Sequence, residues 1–118
     1  MHELSIAESV IRIATEHAAG RRVARVDVRV GHLRQVVPSA LEFAFELASS
    51  GTSVEGAELV VEHVPAAGRC RRCEAETELD SFPLSCSACG GLDVEVLRGE
   101  ELVVEALELE GEMATTEA

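Results

Sequence analysis

The chain has 118 residues, 47% of them hydrophobic but only 3% aromatic, and a formal charge of -12 at pH 7. That length supports one modest core and at most a small accessory module, and the acidic balance argues against nucleic acid or an anionic membrane as partner. With no Trp and no Tyr, the core is expected to be built from Val, Leu, Ile and Ala around Phe43, Phe45 and Phe82.

The opening stretch, MHELSIAESVIRIATEHA, repeats apolar residues at Leu4, Ala7, Val10, Ile11, Ala14 and Ala18, with Glu8, Arg12 and Glu16 on the other side. This is the spacing of an amphipathic helix, and Gly20 is its natural stop. The same stretch lacks a basic n-region and carries acids and an arginine inside its apolar pattern, so it does not read as a secretory signal. No apolar run approaches the roughly 20 residues of a membrane helix, and a cytoplasmic protein is expected.

RVARVDVRVG then alternates Val26, Val28 and Val30 with Asp27 and Arg29, the period of a strand with one buried face. A second helix is expected in PSALEFAFELASSG, where Pro38 fits the first turn and Leu41, Ala44, Phe45 and Ala48 share a stripe. Phe43 and Leu47 sit beside that stripe. AELVVEHVP reads as a second strand ended by Pro65, and ELVVEALELE as a third whose alternation slips between Ala106 and Leu107. The expected architecture is α+β: two helices packed on a small three-stranded sheet, with a zinc-ribbon-like module inserted between strands. The expected organisation is a domain of residues 1–66 with 97–112, a zinc-binding domain of 67–96, and a frayed tail at 113–118.

The inserted segment is polar and turn-rich, and area burial at about 25 cal/mol per Å² falls short of ordering its backbone at about 1–2 kcal/mol per residue. Cys70-x-x-Cys73 and Cys86-x-x-Cys89-Gly supply what is missing, since two such knuckles place four thiolates tetrahedrally around one Zn²⁺. A disulfide pair, four free thiols, or iron of the rubredoxin kind are the competing readings of the same cysteines. Because all four ligand positions are cysteine, none is open to water or substrate, and such a zinc is structural. Arg69, Arg71 and Arg72 bracket the first knuckle, where they either moderate its negative charge or form a solvated turn.

The first three residues have chemistry of their own. The Met1 amine, the backbone nitrogen of His2 and the His2 imidazole can chelate one ion through adjoining rings, with Glu3 adding a further nitrogen or its carboxylate. Nitrogen-rich planar coordination suits Ni²⁺ or Cu²⁺ better than Zn²⁺; the competing reading of His2 is an ordinary solvated side chain. His17 reads as a helix-end residue, His32 as a polar loop residue and His63 as a partly buried, hydrogen-bonded one. No phosphate loop, catalytic triad order or histidine pair at helical spacing is present, so an enzyme is not expected.

Taken together, MHELSIAESV, VRVGHLRQVVPSALEFAFELASSGTSVEGAELVVEHVP, the two cysteine knuckles and RGEELVVEALELE resemble the HypA/HybF family of hydrogenase nickel-incorporation proteins over residues 1 to about 110. The resemblance implies a nickel metallochaperone carrying Ni²⁺ as cargo at Met1, His2 and Glu3, with structural Zn²⁺ at Cys70, Cys73, Cys86 and Cys89. It implies as partners the nickel-pathway GTPase and the [NiFe] hydrogenase large-subunit precursor, with urease maturation proteins as further candidates, and a monomer or homodimer. One departure is Ser87, where the family's second knuckle commonly has proline. The alternative function is a zinc-ribbon protein–protein adaptor that never handles nickel.

Overall fold

The structure, a computed structural model, describes residues 2–111. Met1 and the expected tail at 113–118 lie outside the described residues. In chain order the elements are helix α1 (His2–Ala18), strand β1 (Val23–Gly31), a short 3-10 helix (His32–Arg34), helix α2 (Pro38–Ala48), and strands β2 (Glu58–Val64), β3 (Ala66–Cys70), β4 (Glu76–Leu79), β5 (Val94–Arg98) and β6 (Leu102–Leu109). They form two three-stranded sheets, ordered β2-β1-β6 and β4-β3-β5. The α+β class with two helices and a separate cysteine-bearing module is therefore observed.

Two compact units make up the chain. Among the described residues the first comprises 2–28, Val36–Glu62 and 103–111; the second comprises Arg29–Gln35 and His63–Leu102. In the first unit α1 buries Ile6, Ala7, Val10, Ile11, Ala14 and Ala18, the stripe read from the sequence, and packs against α2. Ala19 and Gly20, both at positive φ (52° and 88°), end α1, and His17 Nδ1 caps the last turn by contacting the Ile13 carbonyl at 2.9 Å. Val23, Val26 and Val28 of β1 are buried to within 1% of full enclosure.

The aromatic core differs from expectation. Phe45 is buried, but Phe43 is 62% exposed and Phe82 54% exposed. The reason lies in helical geometry. Leu41, Ala44 and Phe45 are spaced three and four apart and share the buried face, whereas Phe43 and Leu47 make a separate four-residue pair on the opposite side. Aliphatic side chains thus carry almost the whole core.

In the second unit the polar insertion holds three strands that its sequence did not announce. β3 is the centre strand, antiparallel to β4 (Ala66↔Leu79 to Arg69↔Glu76) and to β5, with a register shift between Ala67 and Gly68. A small apolar cluster supports it: Leu33, Ala66 and Leu79 with Leu84, Val94 and Val96. Leu33 comes from the 3-10 helix, far away in sequence, which is why the insertion viewed alone looks coreless.

Gly31 shows how closely backbones approach in this unit. A Cβ there would lie 2.1 Å from the Gly99 carbonyl oxygen, and Gly31 N–H donates to the Glu101 carbonyl at 2.8 Å. Main chain cannot swing aside as a side chain does. Gly31→Ala is therefore expected to lower the urea midpoint, at a cost of about 1–3 kcal/mol, while a control substitution at Gly56, where no atom stands within 4 Å of an added Cβ, meets no such clash and is limited to its left-handed φ of 79°.

Candidate metal centres

Cys70 ends β3 and Cys73 closes the turn after it; Cys86 and Cys89 occupy a second turn before β5. The two turns are built alike. Cys70 N–H donates to the Ala75 carbonyl and Glu74 N–H to the Cys70 carbonyl (3.0 and 2.8 Å), while Cys86 N–H donates to the Gly91 carbonyl and Gly90 N–H to the Cys86 carbonyl (2.8 and 2.7 Å). Each turn closes through a residue at positive φ, Glu74 at 66° and Gly90 at 77°. Glycine adopts that conformation without strain, so the second knuckle uses the better residue.

The sulfurs converge. Cys70 Sγ lies 3.7 Å from Cys89 Sγ, Cys73 Sγ lies 3.6 Å from Cys86 Sγ, and all four are within 4.8 Å of one another. A tetrahedron of sulfurs about 2.3 Å from a central ion has edges of about 3.8 Å. The Cys70–Cys89 and Cys73–Cys86 spacings match those edges, the other pairs lie within 4.8 Å, and all four cysteines are free rather than disulfide-bonded. Cys70 and Cys86 are buried, whereas Cys73 and Cys89 reach the surface.

Backbone amides prepare the thiolates. The Cys73 N–H, followed by the Arg72 N–H, holds the Cys70 thiol down to about 6, and the Cys89 and Ala88 amides lower Cys86 against the effect of burial. Cys73 receives an Ala75 amide that favours its thiolate, yet its sulfur neighbours, Cys86 first, push it up to about 11. Four close sulfurs cannot all ionise without a cation among them. Arg71 serves elsewhere: its guanidinium pairs with Asp93 at 2.7 Å and its N–H donates to the Asp93 carbonyl, tying the first knuckle to the residue preceding β5.

His2 and Glu3 lie in the first turn of α1. The Glu3 carboxylate accepts the Val37 N–H at 3.1 Å, and this amide holds it below its usual 4.5. Val37 is the N-cap residue of α2, which has no side-chain cap, so a side chain from α1 satisfies an amide at the start of α2. A depressed carboxyl stabilises the fold fully above 4.5 and loses that contribution as pH falls below it. The urea-midpoint difference between wild type and Glu3→Gln is accordingly expected to be largest at neutral pH and to shrink below pH 4.5.

Two histidines that the sequence left apart are brought together. His32 Nδ1 lies 3.1 Å from His63 Nε2, and His32 Nε2 contacts the Asp80 carbonyl. His63 is exposed rather than partly buried, because the β2 alternation ends before it. A separation of 31 residues carries no spacing signal, so only the folded chain could reveal the pair. Glu76 and Glu78 are exposed on β4.

Fold and site define a small α+β protein with a four-cysteine cluster able to hold a metal ion. The model of the HypA family, described as hydrogenase/urease nickel incorporation metallochaperones, matches residues 1–109. The hydrogenase maturation factor HypA of Geotalea uraniireducens is 51% identical over 110 residues, covering 93% of this chain and 100% of that one. That of Nostoc punctiforme is 39% identical over 110 residues, covering 93% and 96%. The solution structure of the Ni metallochaperone HypA from Helicobacter pylori is similar with a TM-score of 0.68 at 26% identity, over 95% of this chain and 100% of that one. The chain belongs to the HypA family: it is a nickel metallochaperone of hydrogenase maturation, and not an enzyme. Among the described residues no helix is long and apolar enough to cross a membrane.

Proposed function

We propose that this chain takes up Ni²⁺ through the Met1 amine, the backbone nitrogen of His2 and the His2 imidazole, with Glu3 supplying a further ligand, and passes it to the [NiFe] hydrogenase large-subunit precursor. A nickel-pathway GTPase assists, urease maturation proteins are further recipients, and the work is done in the cytoplasm. Cys70, Cys73, Cys86 and Cys89 hold a structural Zn²⁺. In this reading residues 1–66 with 97–112 form the nickel domain and 67–96 the zinc domain.

Family membership across residues 1–109 is the observation that carries the reading. Physical chemistry supports its division of labour. Four sulfurs at tetrahedral spacing fill every position around a Zn²⁺, so cargo must bind elsewhere. First-turn amides lie outside a helix's own hydrogen-bond ladder, so drawing them into a chelate breaks no helical bond.

The test is calorimetry on zinc-loaded protein with a native start, compared with His2→Ala and with a form extended at its N-terminus. One tightly held nickel per chain in the first, and its loss from the other two, is the expected result; equal tight binding in all three favours a zinc-ribbon adaptor or another nickel site. Zinc release, followed with a chromogenic chelator, is expected only below about pH 6, where even the Cys70 thiol is protonated without metal.

A further inference from the structure

His32 opens the 3-10 helix after β1 and His63 lies at the end of β2, yet their rings meet edge to face, with centroids 5.1 Å apart and planes at 88°. The Asp80 carbonyl, next to His32 Nε2, can only accept a hydrogen bond. Nε2 therefore carries the proton, and in the neutral ring Nδ1 presents a lone pair. That lone pair faces His63 Nε2 at 3.1 Å.

This is how proteins preset a metal-binding histidine. One ring N–H is given to a carbonyl, which fixes tautomer and orientation, and the other nitrogen is left for the cation. Two nitrogens bonded to one ion at about 2.0–2.1 Å, with an angle near 100° between the bonds, stand about 3.1 Å apart. The observed spacing is thus that of adjacent ligands on one ion. His63 need only move its proton from Nε2 to Nδ1 to offer the second lone pair, with no net proton released. His63 is exposed and His32 half-buried, so water can fill the remaining positions.

We propose that His32 and His63 form a second cation site, separate from the terminal chelate and from the cysteine cluster, for a borderline divalent d-block ion completed by water. Imidazole pairs suit such ions. The choice of Ni²⁺ as that ion rests on the nickel-carrier reading; the site itself does not. With only two protein ligands it holds nickel more weakly than a chelate of several nitrogens and releases it more readily.

The test uses zinc-loaded, ¹⁵N-labelled full chain with a native start and no polyhistidine tag, titrated with NiCl₂ while imidazole ¹H–¹⁵N spectra are recorded. Nickel bound to two imidazoles and water is paramagnetic, so His32 and His63 ring signals are expected to broaden. His17, bonded to the Ile13 carbonyl in α1, serves as the internal reference. A planar nickel chelate at the terminus is diamagnetic and leaves all these rings sharp. By calorimetry His63→Gln, introduced into His2→Ala protein, is expected to weaken the remaining nickel binding at least tenfold, with circular dichroism and zinc content unchanged. Sharp His32 and His63 signals in excess nickel, or equal nickel binding with and without His63→Gln, would overturn the site and leave an imidazole–imidazole hydrogen bond. The wild-type spectra decide the matter even if the variant fails to fold. Failure of the terminal chelate looks different: no planar nickel species forms in wild type while the two histidine signals still broaden.

Discussion

Exchanging Cys70 and Cys86 for serine is expected to abolish zinc binding and melt the β4-β3-β5 sheet. Both cysteines are buried, so the variant places two hydroxyls among sulfurs that can no longer share a cation. Zinc contributes about 10–16 kcal/mol in small modules, comparable with or above the whole stability of a typical domain at about 5–15 kcal/mol. The apolar cluster of Leu33, Ala66, Leu79 and their neighbours is too small to replace it. Limited proteolysis should then cut between residues 71 and 93, where zinc-loaded wild type resists. The unit holding α1 and α2 has its own buried aliphatic core and is expected to keep its helical circular dichroism. Collapse of that signal along with zinc loss would show that the two units fold as one.

Loss of the His2 imidazole is expected to have the second large effect. Changing only an outer partner of a metal ligand typically costs about 10–100-fold in affinity, and loss of the imidazole removes a ligand itself together with the ring it closes with the His2 backbone nitrogen. His2→Ala should therefore lose at least about 100-fold in nickel affinity while retaining zinc. A residue added before Met1 should do the same by converting the amine into an amide. The amine, with an ordinary pKa of about 7.7–8.0, must shed its proton to bind, so wild-type affinity should climb between pH 6.5 and 8.5. A flat pH profile would exclude the amine as ligand.

Exposed apolar residues on α2 bear on how far sequence could be read. Helical period alone marked Leu41, Ala44 and Phe45, and they are buried. The same period set Phe43 and Leu47 beside the stripe, and Phe43 was expected in the core, yet among the described residues Phe43 is 62% and Leu47 60% exposed. Burial at a stripe's margin depends on how wide a partner surface lies opposite, which is a property of the assembled layers.

Local rules settled a good deal. The apolar spacing of α1, the valine alternation of β1, Pro38 in the first turn of α2, Pro65 after β2 and the two cysteine knuckles each rest on residues within one or two turns of chain. The start-of-chain motif and the order of elements together led to the right family. Contacts across long loops were another matter. The strands β3, β4 and β5 depend on register between short, polar segments and on Leu33, and their pairing lies in no single segment. Glu3 on the Val37 amide and His32 against His63 join residues 34 and 31 positions apart. Sequence periodicity reports which way a side chain points along its own element; which distant group it meets is decided only when the elements pack.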